Sequence, residues 1–308
     1  MLSTILSCLV SIPLTVPAAC THQAAAKLQH EFERTWYDGQ AEVNGYHWQG
    51  TRYGQLRRGE AVAIFVTEPM GAMSHVKLDD VSKAKEGVVT VMKLNLVRDF
   101  QTGVYDYNTM TSVFAEESAF QPMKISFSSA EWCGHVYEEL NVRERGIPIE
   151  INSYFEGESS QSSVALKPGG LIGDQIFVWL RGLRGHVLEA GETKSFPYLA
   201  DAFERRLRHV KAEWGEITIT RDAAGVEAGV PFGVFNGIRY RVVVSDGRQG
   251  TFLIEDAWPH RLLAWQWARG EEILDAGELT GSRRMQYWSL HDNGHEALRK
   301  DLGLPVPE

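Results

Sequence analysis

Apolar residues recur at every second position through most of this chain, and that period limits what it can fold into. Val62, Ile64 and Val66 follow it, as do Val89 and Val91, then Leu94 and Leu96. Ile125 and Phe127 alternate with Lys124, Ser126 and Ser128. The pattern returns at Ile217 and Ile219, at Ile238, Tyr240, Val242 and Val244, at Phe252 and Ile254, and at Leu263, Trp265 and Trp267. Successive side chains of a strand point to opposite faces, so this alternation describes strands with one wet and one buried face. Arg58-Gly59-Glu60, Glu86-Gly87, Thr102-Gly103 and Asp246-Gly247 read as the turns between them. The fold class expected is mainly β: antiparallel curved sheets or half-barrels in two lobes, with a few short helices.

The helices expected are few. Leu28, Phe32 and Trp36 are spaced by four and predict a short amphipathic helix over Leu28–Tyr37. Ile172–Leu183 and Tyr198–Leu207 read as two more, and Glu296–Leu302 as a C-terminal one. Asp292-Asn293-Gly294 reads as the end of the last strand. The Ser- and Gly-rich stretch from Glu156 to Gly170 divides the chain into lobes over 32–160 and 161–308.

The beginning of the chain points to a compartment. No Lys, Arg, Asp or Glu occurs from Met1 to Ala26, and a broken apolar run from Leu2 to Val16 precedes Pro17-Ala18-Ala19-Cys20. Such a run followed by small residues predicts a signal peptide over 1–19 and a tether over 20–31. Ala18-Ala19-Cys20 resembles the lipobox of bacterial lipoproteins, with Pro17 where that pattern carries Leu. It predicts lipidation of Cys20 and a periplasmic, membrane-anchored protein. Ordinary cleavage near Ala19 and a buried N-terminal helix are the alternatives. Of the three cysteines, Cys8 lies in the signal, so lipidation of Cys20 leaves Cys133 as a single thiol. A net charge of -9 without a Lys/Arg cluster argues against nucleic acid as a partner.

Trp36-Tyr37-Asp38-Gly39-Gln40-Ala41-Glu42, Ala63-Ile64-Phe65-Val66-Thr67-Glu68, Lys93-Leu94-Asn95, Thr102-Gly103-Val104-Tyr105-Asp106-Tyr107 and Ser128-Ser129-Ala130-Glu131-Trp132-Cys133-Gly134-His135-Val136 share a likeness. Over Phe32–Leu140 they resemble an uncharacterised family of bacterial envelope proteins, whose members often carry the label "septum formation inhibitor Maf". The resemblance implies no catalytic residue. True Maf pyrophosphatases open on Ser-x-Ser-Pro-Arg-Arg in an α/β fold. That motif is absent here, so the enzymatic sense of the label is not carried over.

Trp132-Cys133-Gly134-His135 looks like a disulfide-isomerase site in which Val136 replaces the second thiol. On an extended segment Glu131, Cys133 and His135 would share a face. Two readings follow: a buried structural thiol, or a nucleophile served by His135. His291 and His295 are four apart, but Asp292-Asn293-Gly294 breaks the helix that would aim both at one metal, so no metal and no cofactor are expected. Asp79-Asp80 and Glu116-Glu117 read as solvated loop carboxylates. Leu263, Trp265 and Trp267 lie on one strand face and could line a ligand groove. The function expected is non-catalytic binding or scaffolding at the cell envelope. The partners expected are a membrane reached through the lipid, and a hydrophobic small molecule, amphiphile or envelope protein. The alternative is a thiol-dependent or hydrolytic enzyme centred on Cys133 and His135.

Overall fold

A computed structural model describes residues 18–306, with side chains from residue 26 onward. Met1 to Pro17, and with them Cys8 and most of the expected signal peptide, lie outside the described residues. So does the side chain of Cys20, whose backbone belongs to the first helix, α1 (Ala18–Trp36). No helix among the described residues is long and apolar enough to cross a membrane.

Among the described residues the chain forms sixteen strands of one sheet, the period-two runs among them. The N-terminal half is a meander of β1 (Ala41–Arg52), β2 (Gln55–Gly71), β3 (Val88–Thr102), β4 (Tyr105–Glu116), β5 (Pro122–Glu131), β6 (Gly134–Asn141), β7 (Ile147–Ser153) and β8 (Ser160–Val164). The C-terminal half supplies β9 (Leu171–Ile172), β10 (Thr193–Leu199), β11 (Trp214–Arg221), β12 (Val226–Val230), β13 (Gly233–Val244), β14 (Gln249–Glu255), β15 (Leu262–Arg269) and β16 (Glu272–Met285). Pairing of β1 with β16, Ala41 opposite Met285, joins the halves into the order β8-β7-β6-β5-β4-β3-β2-β1-β16-β15-β14-β13-β11-β10-β9, with β12 beside β13. Every pair is antiparallel except β9 with β10. The fold is mainly β, a large curved sheet with few short helices, as the alternation requires.

Several local expectations are corrected. Arg58-Gly59-Glu60 is not a turn. It lies inside β2, where a Cβ on Gly59 would sit 2.1 Å from the Asp99 carbonyl oxygen, so the glycine allows close strand approach. The turn is instead Tyr53-Gly54, with both residues at positive φ. α1 begins at Ala18 rather than Leu28. The stretch read as a linker contains β8, an edge strand held mainly by backbone pairing to β7, with Val164 its only apolar side chain. Tyr198 and Leu199 end β10, and the helix there is α3 (Ala202–Arg208), capped by the Asp201 carboxylate, which accepts from the Glu204 N–H at 2.8 Å. The helix expected over Ile172–Leu183 shrinks to a 3-10 turn at Gly173–Gln175 and α2 (Ile176–Trp179). β16 ends at Met285, before Asp292-Asn293-Gly294, and the C-terminal helix is a 3-10 helix over His295–Leu302.

The concave face of the sheet is too wide for strand side chains to fill, and the chain fills it with these short segments. α2 enters between the walls: Phe177 packs edge-on to Trp265 at 5.5 Å and to Phe252 at 5.7 Å. α1 covers one rim, with Phe32 and Trp36 buried against Phe120 and the Gly182–His186 loop. α3 covers the opposite rim, where Phe203 packs on Trp48 and Phe127. A smaller cluster lies outside the sheet, where Leu302 and Leu304 cover Ala41, Val43 and Val66. That tail passes so close that a Cβ on Gly45 would lie 2.1 Å from the Leu302 carbonyl oxygen.

Ion pairs tie the plug to the wall. The Arg98 guanidinium donates to both oxygens of Asp275 at 3.0 and 2.8 Å, and Asp275 also accepts from the indoles of Trp48 and Trp265 at 2.6 and 2.9 Å. Arg181 donates to Glu42 at 2.8 Å and to the Pro259 and His260 carbonyls. Arg205 meets Glu138, and Arg248 meets Asp201 and Asp246. Guanidinium faces that lack a carboxylate lie on rings, Arg98 on Phe203 at 4.4 Å and Arg181 on Phe65 at 4.2 Å.

Two predictions follow from this interior. Asp275→Ala strands the Arg98 charge and two indole N–H groups, and should cost about 3–5 kcal/mol in urea denaturation. An unchanged midpoint would refute the account of that ion pair. Asp174 is fully buried, and burial first, then the Asp201 charge, push its carboxyl up to about 7. A raised folded pKa contributes stability below the unfolded value that is lost as pH rises toward 7. The stability of Asp174→Asn relative to the native protein should therefore climb from pH 4 to pH 7 and level off above. A flat or falling difference contradicts it.

Candidate functional site

Leu263, Trp265 and Trp267 come from the bulged strand β15, where the Leu253/Ile254 irregularity leaves Leu263 unpaired and keeps all three inward. They are buried, at 0%, 2% and 4% exposure. Phe177, Tyr46, Phe252 and the Arg248 guanidinium cover their rings. The apolar groove expected on this face is filled by α2, and the three residues are core.

Cys133 is also not where the structural reading expected it. β5 and β6 pair from Lys124–Asn141 down to Glu131–Gly134, which leaves Trp132 and Cys133 as the hairpin apex. The thiol is exposed, not buried. Turn geometry ends the alternation that would have set Glu131, Cys133 and His135 on one face. Glu131 faces Arg206 at 3.7 Å instead. No hydrogen bond joins Cys133 to His135 or Glu131 among the described residues, so the constellation for a thiol nucleophile is not assembled.

The remaining candidates have local duties. Asp80 caps the short 3-10 turn at Val81–Lys83 by accepting from the Ser82 N–H at 3.0 Å. Glu117 holds Arg184 at 3.2 Å and accepts from the Tyr37 hydroxyl, which docks α1. His295 accepts from the Asp292 N–H at 3.3 Å, and no cluster of three metal-ligating side chains occurs among the described residues.

A broad concavity lies on the outer face of the sheet. It is a groove of about 790 Å³ crossing β2, β1, β16, β15, β14 and β13. Ala264, Ala276 and Leu253 give its lining apolar side chains, and Gln49 and Thr251 polar ones. Arg58 stands at one end and Arg239 and Arg241 at the other, with His47, Gln266 and Glu278 between. Six adjacent strands at about 4.8 Å give the groove a length of roughly 24 Å. Asp222 holds Arg241 at 2.8 Å and Arg239 at 3.6 Å, whereas Arg58 has no ion-pair partner among the described residues. The outward phase of each strand carries these residues, so the sequence contains the signal as Arg239 and Arg241 flanking Tyr240. Only the sheet order shows that Arg58 faces them.

No protein-family model and no curated protein matches the chain. Among solved structures, the chain is similar to the crystal structure of a β-barrel-like protein of domain of unknown function DUF1849 from Brucella abortus. The TM-score is 0.44 at 11% identity, over 80% of this chain and 98% of that one.

With Cys133 on an exposed apex, iodoacetamide should alkylate the native protein nearly as fast as the unfolded chain. Cys133→Ser should leave the unfolding free energy within about 0.5 kcal/mol of native. Slow native alkylation that speeds up on unfolding would contradict this placement.

Proposed function

We propose that this chain is a non-catalytic binding protein of the bacterial cell envelope, exported and held at a membrane by a lipid on Cys20, whose ligand lies in the outer groove. The observation that carries the reading is the groove itself: about 790 Å³, open, lined by both apolar and polar side chains, with arginines at both ends. Its volume falls in the range of small-molecule sites. The interior, in contrast, is occupied by α2 and closed by α1 and α3. Leu253, Ala264 and Ala276 suit an acyl chain or an extended apolar segment, and Arg58, without an ion-pair partner among the described residues, suits an anionic head group. The ligand class is thus an elongated anionic amphiphile. Cys20 belongs to the reading through Ala18-Ala19-Cys20, and intact-mass measurement on the exported protein tests that part.

The groove is tested by calorimetric titration with dodecyl phosphate and dodecyltrimethylammonium below their micelle concentrations. Dodecyl phosphate should bind at one site, at least about tenfold tighter than the cation, which corresponds to about 1.4 kcal/mol. Arg58→Glu combined with Arg241→Glu should abolish that preference without lowering the melting temperature. Equal binding of both amphiphiles, or undiminished binding in the variant, would remove the groove from consideration.

A further inference from the structure

Four hairpin apices of the N-terminal half each expose a large apolar side chain along one edge of the sheet. In an antiparallel meander alternate turns share an edge, so the β1–β2, β3–β4, β5–β6 and β7–β8 connections line one rim. Their apices expose Tyr53 at 56%, Val104 at 78%, Trp132 at 71% and Tyr154 at 75%. The tips are tied to one another. The Tyr53 and Tyr107 hydroxyls lie 2.7 Å apart, the Tyr154 N–H donates to the His135 carbonyl at 3.1 Å, and the Tyr154 ring rests on Gly134. α3 closes the same rim. Arg206 at its end reaches Glu131 and Glu158 on two of the tips, and Arg208, Val210 and Lys211 are exposed beside them.

We propose that this rim is a membrane-contact surface, whose aromatic and aliphatic apices enter the headgroup layer of a lipid bilayer. Alternate hairpins stand about two strand spacings, roughly 10 Å, apart. The apices therefore form separate points rather than the contiguous apolar patch at the centre of a protein interface. Points spaced along one rim suit a fluid interface, and Trp and Tyr favour the depth where an apolar ring meets polar headgroups. Arg208 and Lys211 match anionic lipid, while Asp106 and Glu156 on the same tips oppose it, so apolar insertion carries most of the binding. The inference goes beyond the groove and does not depend on a lipid on Cys20.

Cys133, next to Trp132 on one apex, gives a reporter. The full chain with Cys8→Ser and Cys20→Ser is labelled there with a nitrobenzoxadiazole dye and mixed with vesicles of phosphatidylglycerol and phosphatidylethanolamine. The expected result is a blue-shifted, brighter emission that headgroup spin-labelled lipid quenches. Val104→Ser, Trp132→Ser and Tyr154→Ser together should weaken vesicle partitioning at least tenfold with an unchanged melting temperature. An emission indifferent to vesicles overturns the proposal, as does equal partitioning by the triple variant. A blue shift without vesicles that grows with protein concentration also overturns it, in favour of contact with a second copy.

Discussion

The concave face of a sixteen-stranded sheet must be covered, and buried arginines settle how. Ion pairs join the inserted segments to the wall: Arg181 after α2 with Glu42, Arg205 of α3 with Glu138, and Arg248 of the wall with Asp201 at the start of α3. Arg98 and Asp275 link the two halves of the sheet directly. Apolar contacts alone would fill the same volume but leave the register of short helices loosely defined. A buried charge is costly unless its partner is in place, so such pairs penalise every other docking of the plug.

This construction separates the inside of the molecule from its surfaces. Of the tryptophans of β15, which in an emptier barrel would meet a ligand, Trp265 seats Phe177 and donates to Asp275, and Trp267 packs against Phe252 and the Arg248 guanidinium. What is open to solvent is therefore the outer face and the rims. The groove lies on that outer face. The aromatic apices project where α3, with only seven residues, closes the opening without covering the hairpin tips.

Much of the strand content was legible because a half-buried strand writes its environment in alternate residues, and β3, β5, β11, β13, β14 and β15 all do so. The pattern was weakest where that condition fails. β8 has no buried face, so its Ser160–Val164 sequence looks like a linker. The first half of β1 is buried on both sides, because Leu302 and Leu304 cover its outer face. Arg98 stands in phase with the buried Leu94, Leu96 and Phe100, which marks it as an inward charge, although nothing nearby in sequence names Asp275. Gly59 looks like a turn residue until Asp99 on the neighbouring strand shows why a side chain is excluded.

The sequence by itself determined the mainly β class, most strands, the Thr102-Gly103 and Asp246-Gly247 turns and the presence of a few short helices. These are local properties, carried by the period of side-chain burial and by the backbone freedom of turn residues. Tertiary structure alone decided that both halves join through β1 and β16, that Trp265 and Trp267 face a plug instead of a ligand, and that Cys133 is exposed on an apex. It also decided that Arg58 shares a groove with Arg239 and Arg241. Each of those facts depends on which strand lies beside which and on what covers a face. Residues far apart in the chain set both, so no window of sequence contains them.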